Sequence, residues 1–309
     1  MNVFRRAHSC GKAVFLILTL APQLGEANGL SPEQHAAIYQ ELQAPVQITL
    51  SNHGTITGHS IQVSGEQIKV GTSKGGGEAI FTFKLDEIDS LKIPGESYKA
   101  LVIDWQQAGE FDKALELCEL LYQQRVNMLP LLPPSESHFF IYYVELVLQS
   151  NKPARALGIT SKLRPQIENS AALAAIDDAI LKSYHQLELH SEARPLAEQW
   201  VASRDPYGSS ALGYYVLGAA KLRDEDYTQA LELALQPIVF ASPLPTENLA
   251  ECYTVAISAA LGLREADYAV TLFHEMQQRR LNWPDNDRSL KPFHQKLLKQ
   301  LKLTRANPR

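Results

Sequence analysis

Five times between residues 97 and 281, a small residue falls early in the second of two apolar helical stripes. These are Ala114 in GEFDKAL, Ala156 in NKPARAL, Ala193 in LHSEARPL, Ala230 in DEDYTQAL and Ala269 in READYAV. By subtraction the intervals are 42, 37, 37 and 39 residues. A recurrence of that length confines the chain to a stacked array, because a lone hairpin cannot bury its apolar face and needs a neighbour to cover it. Within a unit the period is helical. Tyr98, Leu101, Val102 and Trp105 stand at i, i+3, i+4 and i+7, Gly109 ends that helix, and Phe111, Ala114, Leu115, Cys118 and Leu121 form the facing stripe.

The residues before this array obey other rules. Arg5, Arg6 and Lys12 precede an apolar run over residues 13–21, and Gly25, Glu26 and Ala27 follow as a small-x-small site. That is the pattern of a secretory signal. The run is shorter than the roughly 20 apolar residues that span a bilayer. A signal peptide over 1–27 is therefore expected, with a mature chain from Asn28, an exported location (periplasmic or secreted) and no transmembrane segment after cleavage. Cleavage moves the formal charge from -5 to -7, since three basic residues and one acidic residue leave. Cys10 lies upstream of the apolar run, not at its end where a lipid-attachment cysteine stands. Cys118 and Cys252 fall in the first and last hairpins, too distant for the ~6 Å that a disulfide needs between Cα atoms. Buried free thiols are expected.

After the signal, Ser31, Pro32 and Gln34 carry a capping box and a first-turn proline, so a short helix with Ala37, Ile38 and Leu42 on its apolar face is expected. The period then changes to two. Val46, Ile48 and Leu50 alternate up to the turn at Asn52, His53 and Gly54; a second strand runs from Ile56 past Gly58 to Val63, and Ser64-Gly65 turns it back. Ile68 and Val70, residues 80–83, and Ile88, Leu91 and Ile93 complete about five short strands, with a loose tip over residues 73–77.

These residues support two family resemblances. One helix and five strands with a glycine in the second resemble the small barrels of the Sm-like or SH3-like kind. The helical units resemble the tetratricopeptide repeat. The fourth matches best, with Tyr214, Leu217, Gly218, Tyr227 and Ala230 at the aromatic, leucine, glycine, aromatic and alanine positions. The third and fifth place His190 and Ala266 at the second aromatic position. The second has Pro153 there, lacks the helix-crossing glycine, and follows an irregular stretch over residues 128–134 expected to open a wedge in the stack. The resulting fold class is α+β: a small five-stranded β-barrel followed by an all-α superhelical hairpin array. Its segments are the signal peptide at 1–27, the short helix plus barrel at 28–94, five hairpins at 95–283, and a basic capping helix and tail at 284–309.

No catalytic, cofactor or metal constellation stands out. His185 and His190 are five apart, about 140° around a helix, so they do not form the two-histidine face of a zinc site. His53 and His59 flank a hairpin without a cysteine or carboxylate pattern. Gly75, Gly76 and Gly77 lack the lysine and hydroxyl residue of a phosphate-binding loop, and Asp177-Asp178 and Asp224, Glu225 and Asp226 lack the alternating ligands of a calcium loop. The tail is basic: Leu290, Phe293, Leu297, Leu298 and Leu301 make an apolar stripe, with Lys291, Lys296, Lys299 and Lys302 beside it. A capping helix is expected, with contact to anionic lipid or a polyanion as the alternative. The export signal and acidic mature chain argue against nucleic acid.

The expected function is that of an exported, non-enzymatic interaction scaffold that binds a protein or peptide segment in a concave groove. The alternative is a cell-envelope structural or assembly component whose barrel or basic tail contacts polymer or lipid peripherally. In the tetratricopeptide register, the inward residues of the first helices are Lys99, Ile103, Gln106 and Gln107, then Ile141 and Glu145, Asp178, Lys182 and His185, Tyr215 and Arg223, and Thr254 and Ser258. Their mixed chemistry differs from the lysine and asparagine clamp that some family members use for a carboxylate. It suits a neutral or mixed-charge segment, with Tyr215 and Arg223 as the leading contributors. The contrary expectation is a groove that is only solvated or filled by the chain itself.

Overall fold

The computed structural model describes residues 29–306, apart from 75–76, 168, 205–207, 241–245 and 285–289. The signal sequence expected at 1–27 lies outside the described residues. Ser31 caps α1 (Pro32–Leu42): its Oγ accepts from Gln34 N at 3.2 Å and its own N donates to Gln34 Oε1 at 3.0 Å. Ile38 and Leu42 are buried, whereas Ala37 is exposed.

Six strands follow: β1 (Val46–Leu50), β2 (Thr55–Gly58), β3 (Ser60–Ser64), β4 (Gln67–Lys74), β5 (Gly77–Lys84) and β6 (Ile88–Lys92). They make two antiparallel three-stranded sheets, ordered β2-β1-β6 and β3-β4-β5, and not the closed five-stranded barrel expected. Two features account for the difference. First, the long second strand divides after Gly58. A Cβ there would stand 2.6 Å from Val70 Cγ1, and His59 N donates to Gly71 O at 2.8 Å, so the chain bends from one sheet into the other where only glycine fits. Second, the 3-10 segment Val126–Leu131 packs against the sheets. Its Met128 is 3% exposed and shares a core with Val46, Ile48, Ile68 and Val70. The irregular stretch at 128–134 thus plugs the opening between the sheets with apolar side chains and docks them onto the helices.

The helices pair in sequence order: α2 (Tyr98–Gln107) with α3 (Phe111–Arg125), α4 (Pro134–Gln149) with α5 (Pro153–Leu163), α6 (Ser170–Gln186) with α7 (His190–Ser203), α8 (Leu212–Arg223) with α9 (Tyr227–Val239), and α10 (Leu249–Gly262) with α11 (Ala266–Gln278). A last helix, α12 (Lys291–Ala306), packs on α10 and α11. Every hairpin turns in the same way. Gly109, Asn151, Glu188, Glu225 and Arg264 hold the left-handed conformation, with φ between 55 and 80°. The next residue's N–H reaches back five positions, as in Glu110 to Trp105 at 2.8 Å and Asp226 to Lys221 at 2.9 Å. The repeating alanine lies five residues past the left-handed one each time. Ala114, Ala156, Ala230 and Ala269 are fully buried and Ala193 is 3% exposed, where paired helices approach closely.

The helical core divides into two clusters. One gathers α3, α4, α5 and the first half of α6, and the other runs from Leu181 to α12. In the second, α8 and α10 are central, and their residues 211–219 and 252–260 are buried without a gap. Cys118 and Cys252 are buried and unbonded to each other, and burial raises both thiols well above their ordinary range.

A buried ionic junction joins the β unit to the first two hairpins. The fully buried Arg125 lies 3.5 Å from Glu96 and 3.7 Å from the buried Glu136, which also pairs with Lys99. Gln124 donates to Leu42 O at 2.7 Å and Pro94 O at 3.3 Å, tying the end of α3 to the chain on both sides of the sheets.

Candidate functional site

Where the two helical cores part, a cleft of about 230 Å³ opens. Its floor is α6. Asp178 and Lys182 are four residues apart on one face, and Ala175 and Ala179, which also line the cleft, are small enough to leave space above the helix. One wall is α7. Trp200 Nε1 donates to Asp178 Oδ1 at 2.8 Å, and Arg204 pairs with the same carboxylate at 2.8 Å. Arg204 Nη1 donates to Asp178 Oδ2 at 3.0 Å and the guanidinium stacks over the Trp200 ring at 4.6 Å, so both oxygens of Asp178 are held.

The opposite rim comes from the connections before α8 and α10. Glu247 N donates to Ser209 O, and Ala211 N to Glu247 O, each at 2.8 Å. This short pairing presents the Glu247 side chain to Lys182 at 3.2 Å. Glu145, on α4, closes the third side. It makes no hydrogen bond or ion pair among the described residues. Partial desolvation pushes its carboxyl above the ordinary range; Lys182 opposes that shift and Glu247 adds to it. The cleft therefore offers one open acceptor beside groups that neutralise each other.

Beyond the Trp200 and Arg204 wall lies a second hollow of about 290 Å³. Ile180, Leu181, Tyr184 and Leu196 line it, and an Arg164–Asp177 pair at 2.8 Å stands on its rim. A polar and an apolar recess thus adjoin across one tryptophan.

Of the residues expected to face a groove, the fold brings Glu145, Asp178 and Lys182 together in this cleft. His185 lies one turn further along α6, its Nε2 2.9 Å from the Tyr215 hydroxyl. Three expectations are corrected by burial: Tyr215 is 6% exposed, and Thr254 and Ser258 are fully buried. They lie in the stretches 211–219 of α8 and 252–260 of α10, which neighbours cover on all sides. Arg223 is exposed but lies 2.9 Å from the His190 ring, away from the cleft. Lys99 is spent on the ionic junction. Ile103, Gln106, Gln107 and Ile141 do not line the cleft; Ile103 is 43% exposed. Trp200, Arg204 and Glu247 were not among the expected residues. No helical spacing signalled them: Arg204 follows the end of α7 in an extended conformation, so its contact with the Trp200 ring is not a pairing on one helix face.

Among the described residues no group of three or more histidine, cysteine or acidic side chains is placed to hold a metal ion. Nor is any helix among them long and apolar enough to cross a membrane. No protein-family model matches the chain, and a search of curated proteins likewise finds no match.

Proposed function

We propose that this protein is an exported, non-enzymatic interaction scaffold. We read its helices as a tetratricopeptide-type superhelix, and its paired sheets as an open relative of the Sm-like or SH3-like unit. The binding site is the cleft between α4, α6 and α7, and its ligand is an extended segment of a partner polypeptide carrying mixed charge. The observation that carries this reading is the convergence of Glu145, Asp178, Lys182, Trp200, Arg204 and Glu247 from separate hairpins on one open recess beside an apolar hollow. Few polar groups set against an aromatic wall are what orient a bound segment. The closed inner face of α8 and α10 favours the middle of the array over the fourth hairpin, which holds Tyr215 and Arg223.

The test uses positions outside the buried core, the exposed Glu145 and the half-buried Lys182, so that folding and binding separate. Glu145→Lys with Lys182→Glu reverses two charges of the cleft and leaves the core untouched. Affinity capture by the full chain should weaken by at least about tenfold, or roughly 1.4 kcal/mol, with an unchanged melting temperature. A photoreactive residue at position 145 should cross-link to one segment of the captured partner, and one at position 103 should not. A folded double variant that captures the same partner equally well would overturn the site.

A further inference from the structure

α12 divides its surface sharply. Leu297 and the preceding Leu290 are fully buried, and Phe293 and Leu301 pack on the same core. The other side carries Lys291, Lys296, Lys299 and Lys302, all exposed. At 100° per residue these four fall within an arc of roughly 140°, over about 16 Å of helix. The helix, KPFHQKLLKQLKLTRA, contains no acidic residue, and among the described residues no carboxylate pairs with these lysines. Leu298 lies on the same side and is 44% exposed. Outside these four lysines the chain has a formal charge of -9 (-5 less 4), so positive charge is concentrated at one end of an otherwise acidic molecule.

From this arrangement we propose that α12 docks along its length on an anionic lipid surface, its ammonium groups among phosphate headgroups and Leu298 in the headgroup layer. The residue types favour this occupant. Lysine is a point charge on a flexible stem, suited to a diffuse field of phosphates, whereas a shaped carboxylate or nucleic-acid site selects the planar fork of arginine or a stacking aromatic. None of the exposed residues described on this face is an arginine or an aromatic. The remaining negative charge is repelled by the same surface, so α12 is the part of the molecule that approaches it. This docking is independent of the cleft and of its ligand.

Co-sedimentation of the full chain with vesicles tests it. Vesicles of phosphatidylcholine with one-third phosphatidylglycerol should carry the protein down at low salt, vesicles of phosphatidylcholine alone should not, and high salt should release it. Lys299→Gln with Lys302→Gln should lower the partition coefficient by at least about tenfold. Lys152→Gln with Lys162→Gln, an equal charge change at exposed positions just before and near the end of α5, should alter it less than about twofold. No sedimentation with the anionic vesicles at low salt would overturn the proposal. So would equal losses in both double variants, equal binding to neutral vesicles, or binding to polyglutamate or heparin with the vesicles left free. Should the α12 variant melt lower than the parent, the headgroup and salt dependence of the parent protein decides.

Discussion

Glu119 holds two hairpins together through one carboxylate. It accepts from the hydroxyl of the buried Tyr143 and from Gln123 at 2.9 Å, and it pairs with Arg155 at 2.5 Å. Arg155 in turn lies 5.3 Å over the Tyr122 ring. Desolvation pushes the Glu119 carboxyl up, but the two hydrogen bonds and the Arg155 charge outweigh it and hold the group below the usual carboxylate range. A folded-state pKa below the unfolded one stabilises the protein above the unfolded value of about 4.3. That contribution is lost as pH falls through the folded value. Glu119→Gln should therefore cost about 1 to 2 kcal/mol at neutral pH, and the gap between variant and parent should close in acid. Urea midpoints measured from neutral pH down to acid check this, and a gap that stays constant would show that the carboxylate is not held ionised. The same contrast between local pattern and context governs the cleft. Asp178 and Lys182 were legible because four residues on a helix share a face. Trp200 was not, since a half-apolar helix gives no sign that one edge of its indole borders open space.

The hairpin turn is the element that repeats most faithfully, and it repeats in geometry more than in residue type. Gly109 and Asn151 suit the left-handed conformation, but Glu188, Glu225 and Arg264 carry a Cβ into it. Those three turns persist because at least four flanking backbone hydrogen bonds and a buried alanine over-determine each of them. Glu225 is exposed, so Glu225→Gly removes the strain without opening a cavity. It should stabilise the protein by up to about 1 kcal/mol, read as a higher melting temperature. A lower one would show that the turn is unstrained. Helix contacts are tighter at glycines than the repeat pattern suggests. A Cβ at Gly213 would lie 2.5 Å from Trp200 Cε3, against 3.1 Å from Val255 Cγ1 at Gly218. The glycine that seats the cleft's tryptophan is thus the one outside the repeat signature.

Taken whole, the protein is a β unit and a helical array made into one body by the junction around Arg125. That cation is fully buried between Glu96 and Glu136, and a buried charge that loses its partner costs far more than the pair contributes. Glu136→Ala should destabilise the chain by about 3 kcal/mol, the low end of the range because Glu96 remains 3.5 Å away. Cleavage by a dilute protease between β6 and α2 should rise with it. An unchanged denaturation midpoint would mean that water reaches Arg125 and that the junction is not a lock. Met128 acts from the opposite side of the same join, filling the space between the sheets from a helical connection.

The hairpins, their alanines, the capping box at Ser31 and the apolar stripe of the last helix were legible in the order of residues, because each depends on contacts within a few turns of chain. The open sheets were not, since their gap is filled by Met128, about forty residues beyond the last strand. Nor was the position of the cleft. Local register assigns an inward face to every first helix alike, but the packing of α8 and α10 buries theirs and the parting of two cores leaves that of α6 open. Which repeated face remains free is a property of how the whole stack curves and closes, and no single repeat carries that information.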